Sequence, residues 1–154
     1  MKRLGLLSLL CLLWAAVSSA QEEFTAGQLK LRSDIETFLK EEGYVPEIDS
    51  DGDIKFKKEG KVYYIEVSKV DTAPMYVRTY KFYTYSESFT KEKIVKALEK
   101  TNLKKGVKVL CFDSSYYYQS EQYLNNAETF KFTFYKLLSQ LDAVQEQVAE
   151  ICSE

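Results

Sequence analysis

Apolar residues in the first part of the chain recur three and four positions apart, a spacing that predicts an amphipathic helix. The stripe consists of Leu31, Ile35, Phe38 and Leu39. Thr25 and Gln28 have the spacing of a capping box, in which each side chain bonds the backbone N–H of the other residue. We therefore expect a helix that begins near Thr25 and ends at Gly43.

From Tyr44 to Tyr85 the chain is rich in β-branched and aromatic residues that alternate with polar ones, a pattern typical of strands. Asp51-Gly52 separates two short runs, VPEI and DIKFK, and is a strong hairpin signal. A second turn at Glu59-Gly60-Lys61 leads into VYYIEVS. We therefore predict a three-stranded meander whose last member is the longer run MYVRTYKFYTY.

The second half of the chain predicts a helix, two strands and a long terminal helix. The middle helix begins at Thr90, and its predicted buried residues are Ile94, Val95 and Leu98. The strands are VKVLCF and a poorer one from Tyr116 to Tyr123. The last helix begins near Asn125 or Asn126, and its apolar residues alternate at spacings of four and three, as in a coiled-coil seam. The seam comprises Phe130, Phe134, Leu137, Leu141, Val144, Val148 and Ile151.

The complete order of the predicted elements is α-β-β-β-α-β-β-α, and the strands of the meander form an antiparallel sheet. The first half of the terminal seam is expected to lie on this sheet, as amphipathic helices usually do. A helix of this length can overhang a small sheet, so Val144, Val148 and Ile151 are candidates for contact with another helix or a second copy of the chain. A homodimer through this stripe is the resulting hypothesis.

The first 20 residues have the pattern of a signal peptide. A basic N-terminus precedes an apolar run, Leu4 to Val17, that is too short to span a bilayer as a stable helix. Ser18 and Ala20 are small, as residues before a cleavage site are, and the predicted cut lies at Gln21. We therefore expect an exported protein, periplasmic or extracellular, whose mature part, residues 21–154, is a single domain.

The distribution of charge disfavours one class of partner. Without Lys2 and Arg3 the formal net charge becomes −4, and the remaining basic residues are interleaved with acids, so nucleic-acid binding is disfavoured. No second apolar stretch could span a membrane. Cys111 and Cys152 would survive processing, and the sequence leaves open whether they form a disulfide or stay as buried thiols.

The chain contains no histidine, which removes the commonest general base and the commonest zinc ligand. No phosphate-cradling glycine loop is present either, so we expect neither a cofactor nor an enzymatic activity. An enzyme of this composition would be a hydrolase that depends on carboxylates facing each other across a cleft.

Residues 49–53 read DSDGD, which could be a calcium loop or a tight turn. A calcium-binding EF-hand loop that starts at Asp49 needs glycine at its sixth position and glutamate at its twelfth. Those positions hold Ile54 and Gly60. We therefore expect a turn with solvated carboxylates and no metal site.

The composition is rich in tyrosine, with 12 in the chain, and this is the feature that bears on a binding role. Tyr76, Arg78, Tyr80 and Phe82 share one face of their predicted strand, and tyrosine with arginine is the composition of protein-interface hot spots. The rings could instead support the core at its wet edges. The residues leave these two roles open, and for a binding surface the ligand would be a protein or, as the alternative, a glycan.

Two segments, EIDSDGDIKFKKEGKVYYIEV and FYKLLSQLDAVQEQVAE, resemble the YbjN domain family, which is described as sensory transduction regulators. The likeness covers roughly Leu29 to Glu150. The resemblance implies an α+β domain with an antiparallel sheet, similar to type III secretion chaperones, often dimeric, with no catalytic residues to carry over. The resulting expectation is an exported, non-catalytic interaction module, chaperone-like or regulatory, whose partner is unknown.

Overall fold

The computed structural model of the chain describes residues 23–101, 103 and 106–154, so the predicted signal peptide lies outside the described residues. These residues form three helices: α1 (Ala26–Glu41), α2 (Lys91–Lys100) and α3 (Ala127–Ser153). They also form six strands: β1 (Glu47–Ile48), β2 (Ile54–Lys58), β3 (Lys61–Val67), β4 (Met75–Thr84), β5 (Val107–Cys111) and β6 (Ser115–Leu124). None of the described helices is long and apolar enough to cross a membrane.

The six strands form one antiparallel sheet in the order β1-β2-β3-β4-β6-β5. The α+β class and the antiparallel sheet are therefore confirmed, and the order differs from the expectation only by the two-residue β1, which forms from the VPEI run. The longest pairing joins β4 to β6, from Met75 opposite Leu124 to Thr84 opposite Ser115. α2 lies in the connection from β4 to β5, and β5 returns through a hairpin to pair with β6 at one edge of the sheet.

One face of the sheet carries the core. Alternate residues of the strands are buried together with apolar residues of all three helices in a single cluster. Examples from the strands are Phe56, Tyr63, Ile65, Val77 and Tyr118. Because side chains alternate across a strand, the intervening residues point to the opposite face, which none of the described helices covers.

The predicted start of α1 is confirmed. Thr25 Oγ1 accepts a hydrogen bond from the Gln28 backbone N–H at 3.3 Å, and Gln28 Oε1 accepts one from the Thr25 N–H at 2.7 Å. The Gln28 amide is buried and also donates to the carbonyls of Ser68 and Asp71, at 2.9 and 3.0 Å. Gln28 therefore fixes the first turn of α1 to the loop between β3 and β4.

The DSDGD segment forms the predicted hairpin turn between β1 and β2. Asp49 Oδ1 accepts hydrogen bonds from the backbone N–H groups of Asp51 and Asp53, each at 3.0 Å. The expectation that all three carboxylates are solvated is wrong for Asp53, which is buried and accepts a hydrogen bond from the Tyr80 hydroxyl. Among the described residues, no group of three or more His, Cys, Asp or Glu could hold a metal ion.

Replacing Gly52 with valine is expected to destabilise the protein by about 1 kcal/mol or more, because Gly52 has a φ of 91° that a β-branched residue tolerates poorly. A Cβ atom at this position would meet nothing within 4 Å, so the effect comes from the backbone alone. Urea denaturation measures it. Gly52→Asn is the matched control and should cost less, since asparagine adopts positive φ more readily; equal stability of both variants and the parent would contradict the turn assignment.

Two expectations about helix burial are wrong. On α2, Val95 is 44% exposed, and Ala97 takes its place in the core beside Ile94. On α3, Val144 and Val148 have no exposed surface, because α2 and the sheet together cover the C-terminal half of the helix. This burial removes the stripe as a dimer contact, while the homodimer itself stays a prediction.

The two cysteines in the described part of the chain are free thiols. Cys152 is buried near the end of α3, and Cys111 is half-buried at the end of β5. This arrangement corresponds to the buried-thiol alternative, in which each cysteine packs as a small apolar residue.

Candidate functional site

The sheet surface that points away from the helices is the candidate site, and we name it the open face. Its residues occupy alternate positions on β3, β4, β5 and β6, and they lie beside one another in the observed register. The open face comprises Tyr64, Glu66, Tyr76, Arg78, Tyr80, Phe82, Lys108, Leu110, Tyr117, Gln119, Glu121 and Tyr123. Phe112, just after β5, contacts it through Tyr117 at a ring-centroid distance of 5.4 Å.

Arg78 lies at the centre of the open face. The register places it opposite Glu66 on β3 and opposite Glu121 on β6. Its Nη2 atom is 2.6 Å from Glu66 Oε2, and its guanidinium lies 4.6 Å from the centre of the Tyr80 ring. Cross-strand pairing and the cation–π contact therefore hold the arginine against the sheet.

Aromatic side chains flank the arginine on both sides. Tyr64 stacks on Tyr80 at 5.0 Å, and Phe82 contacts Tyr117 at the same centroid distance. At the other end of β4, Tyr76 meets Tyr123 edge-on at 5.5 Å. Burial and the neighbouring Glu121 carboxylate raise the pKa of Tyr76 to about 12.

Tyr80 supports the open face without being exposed on it. Only 7% of its surface is accessible, and its hydroxyl donates to Asp53 Oδ2 at 2.7 Å. Burial raises the pKa of the Asp53 carboxyl above its ordinary value, and burial followed by the bond to Asp53 raises the pKa of Tyr80. The prediction that Tyr80 contacts a partner is therefore wrong. Tyr80 instead fixes the turn before β2 to the sheet.

The exposed part of the open face is aromatic and close to neutral. Phe82, Phe112 and Tyr123 are 40%, 50% and 64% exposed, whereas the charged groups pair with one another, Arg78 with Glu66 and Lys108 with Glu121. Exposed aromatic rings with internally satisfied charges are typical of surfaces that bind other molecules through apolar contact.

Alternation along β4 correctly placed Tyr76, Arg78, Tyr80 and Phe82 on one face. The other predicted surface residues, Val144 and Val148, lie in the core on the opposite side of the sheet, and Ile151 is half-buried beside it. Sequence reasoning did not single out Tyr64 and Tyr123. The alternation from Tyr117 to Tyr123 carries a signal for the second of these, whereas Tyr64 joins the face only through its pairing with Tyr80.

A second cluster of polar residues lies on the helix side of the sheet. Lys81 is completely buried on β4, and its Nζ donates to Asp142 Oδ1 at 2.8 Å and to Gln145 Oε1 on α3. The Tyr63 hydroxyl donates to the same Asp142 oxygen at 2.7 Å. Burial opposes ionisation of Asp142, but the bonds from Lys81 and Tyr63 outweigh it and lower the pKa of the carboxyl. These contacts fix the position of α3 on the sheet.

Asp142 and Glu146 also line a cavity of about 320 Å³ beside α3, and a carboxylate-dependent hydrolase would need two such groups facing each other. Lys61 Nζ lies 3.4 Å from Asp142 Oδ2 and 3.2 Å from Glu146 Oε1. Because one lysine lies between the two carboxylates, the arrangement is an ion-pair network and not an open acid–base pair.

Comparison with known proteins supports the fold. No family model matches the chain, and no curated protein matches it. Among solved structures it is similar to one chain of the "Structure of the HopA1-SchA Chaperone-Effector Complex", with a TM-score of 0.52, 12% sequence identity, and coverage of 80% of this chain and 99% of that chain. At this identity the likeness shows the fold alone. The chaperone-like fold implied by the sequence resemblance is therefore confirmed, whereas the YbjN family is not shown.

Proposed function

We propose that this protein is a non-catalytic, chaperone-like interaction module that binds a partner polypeptide on the open face, and that it acts after export. The observation that carries the proposal is the uncovered face of the sheet, which presents Phe82, Phe112 and Tyr123 to solvent. The structural neighbour, a chain from a chaperone–effector complex, supports a protein as the partner class.

The open face is suited to binding because its central groups are already ordered. Arg78 is held by Glu66 and by the Tyr80 ring, so it loses little conformational entropy when a partner arrives. Burying each exposed ring would contribute on the order of 1.5–3 kcal/mol before the cost of association. Together, the rings and the arginine form the type of cluster that dominates protein interfaces.

Ring geometry favours a polypeptide over a glycan. Stacking on a sugar uses an exposed, flat aromatic surface, but the exposed rings are inclined to their neighbours, Phe82 to Tyr117 at 53° and Tyr123 to Tyr76 at 63°. The parallel pair, Tyr64 and Tyr80, contains a buried ring. An uneven aromatic surface of this kind accepts side chains between its rings more readily than it accepts a pyranose face.

Site-specific crosslinking tests the proposal in the cell that makes the protein. A photoreactive phenylalanine analogue at position 82 is expected to crosslink a defined partner polypeptide, and the same analogue at Phe132 is the control. Phe132 is a phenylalanine of α3 that is 92% exposed. The double variant Phe82→Ser, Tyr123→Ser should then weaken capture of that partner at least about tenfold, and Phe132→Ser should not. Equal crosslinking from positions 82 and 132 would refute the proposal.

A further inference from the structure

A cavity of about 410 Å³ lies between α2 and the end of α3, on the side of the sheet opposite the open face. Its floor is apolar and consists of Ala97, Ile151 and Cys152. Ala97 and Cys152 are buried, and Ile151 packs against the core. The volume falls within the range of about 300–1,000 Å³ that is common for small-molecule sites.

The wall of this cavity is basic. Lys93, Lys96 and Lys100 line it from α2, and Glu154 is the single acid among its lining residues. The three lysines are spaced three and four positions apart, so they form one stripe on the helix, where like charges repel. Within the described residues none of the three forms an ion pair. An anion bound in the cavity would relieve this repulsion.

We infer that the cavity is a binding site for an amphiphilic organic anion, with its phosphate or carboxylate group on the lysines and its apolar chain on the floor. An inorganic anion would leave the apolar floor uncovered, and a neutral amphiphile would leave the lysine charges unpaired. The combination of the two surfaces therefore selects a ligand that carries both features. This site is independent of the function proposed for the open face.

Isothermal titration with octyl phosphate tests the site directly. Saturable one-to-one binding is expected, weakening as salt is raised because exposed charges are screened. Octyl glucoside and inorganic phosphate should each bind more weakly than octyl phosphate. Failure of octyl phosphate to bind, or equally tight binding of octyl glucoside, would overturn the inference.

Matched lysine variants locate the binding. Lys96→Gln with Lys100→Gln should weaken octyl phosphate binding about tenfold. Lys57→Gln with Lys136→Gln removes the same charge from exposed lysines that do not line the cavity, and should leave the affinity unchanged. Since all four side chains are exposed, both variants should fold, which circular dichroism checks. Equal weakening in both variants would show that the effect is one of net charge and would reject the site.

The two cysteines in the described part of the chain supply an independent measurement. Cys152 lies in the cavity floor, and burial raises the pKa of its thiol, whereas Cys111 lies on β5 and serves as the internal reference. Octyl phosphate should slow alkylation of Cys152 by N-ethylmaleimide and leave that of Cys111 unchanged. An unchanged rate at Cys152 under saturating octyl phosphate would place the ligand elsewhere.

A last comparison identifies the source of the ligand. Binding to vesicles that contain phosphatidylglycerol, lost in the Lys96→Gln, Lys100→Gln variant and retained in the control variant, would support the site and assign it to a lipid headgroup. Binding of octyl phosphate without vesicle binding would support it as a site for a free organic anion. Vesicle binding that both variants retain, with no octyl phosphate bound, would reject it.

Discussion

Replacing Val144 and Val148 with glutamate is expected to unfold the protein. Both side chains have no exposed surface and belong to the core cluster that joins α3 to the sheet and to α2. Burying an unpaired carboxylate costs several kcal/mol or more for each residue, and a small domain has a net stability of only about 5–15 kcal/mol. Far- and near-ultraviolet circular dichroism of the double variant should show the loss of fixed tertiary structure at 25 °C.

The matched control places the same substitution at exposed valines. Val70 is 72% exposed and Val95 is 44% exposed, so Val70→Glu with Val95→Glu should stay folded and change stability little. The opposite result for the core pair, a folded and soluble Val144→Glu, Val148→Glu protein, would show that this part of α3 lies at the surface and would restore it as a candidate dimer contact.

Local signals were sufficient for most of the elements. The capping box at Thr25 and Gln28, and the Asp51-Gly52 turn, depend on residues a few positions apart, and both are confirmed. The spacing of the α3 seam was equally clear, but a four–three repeat is the same whether the partner is a sheet or another helix. The sequence therefore predicted which face of α3 is apolar and failed to predict that α2 covers its C-terminal half.

In the candidate site, too, the features set by local sequence were predicted and those set by long-range contacts were not. Alternation along β4 placed Tyr76, Arg78 and Phe82 together because side-chain direction in a strand is a local property. The hydrogen bond from Tyr80 to Asp53 joins residues that are 27 positions apart in the chain, and no short-range pattern predicts it. Lys81 is a stronger case, since a lysine in an alternating strand gives no indication that Asp142 on α3 will pair with it.

Replacing Asp142 with alanine is expected to destabilise the protein by about 3–5 kcal/mol, because it leaves Lys81 as a buried charge without its counter-ion. Lys81 has no exposed surface, and Asp142 is its carboxylate partner at 2.8 Å. Guanidinium or urea denaturation measures the loss. Asp113→Ala is the control: the Lys91–Asp113 pair has a similar separation of 3.0 Å, but its carboxylate is fully exposed, so no measurable change is expected.

A second variant distinguishes the loss of one member of the Lys81–Asp142 ion pair from the loss of both members. Changing Lys81 to methionine together with Asp142 to leucine removes both charges, and it should recover most of the stability lost in Asp142→Ala, since an apolar replacement of a buried ion pair is often neutral or stabilising. If the double variant is as unstable as Asp142→Ala, the contacts of Asp142 with Tyr63 and Lys61 are responsible for the lost stability instead.

The Lys81–Asp142 ion pair should also make the stability of the protein depend on pH in the acid range. The folded pKa of Asp142 is held below its ordinary value of 3.8 by the bonds from Lys81 and Tyr63, which outweigh burial. Its contribution to stability is therefore fully present above the unfolded pKa, and it is lost as pH falls through the lower folded pKa. Asp142→Asn cannot titrate, so the difference in unfolding free energy between the parent and this variant should be constant above about pH 5 and shrink below pH 4. A difference that stays constant down to pH 2 would show that Asp142 is not stabilised as the carboxylate and would contradict the assignment of the pair.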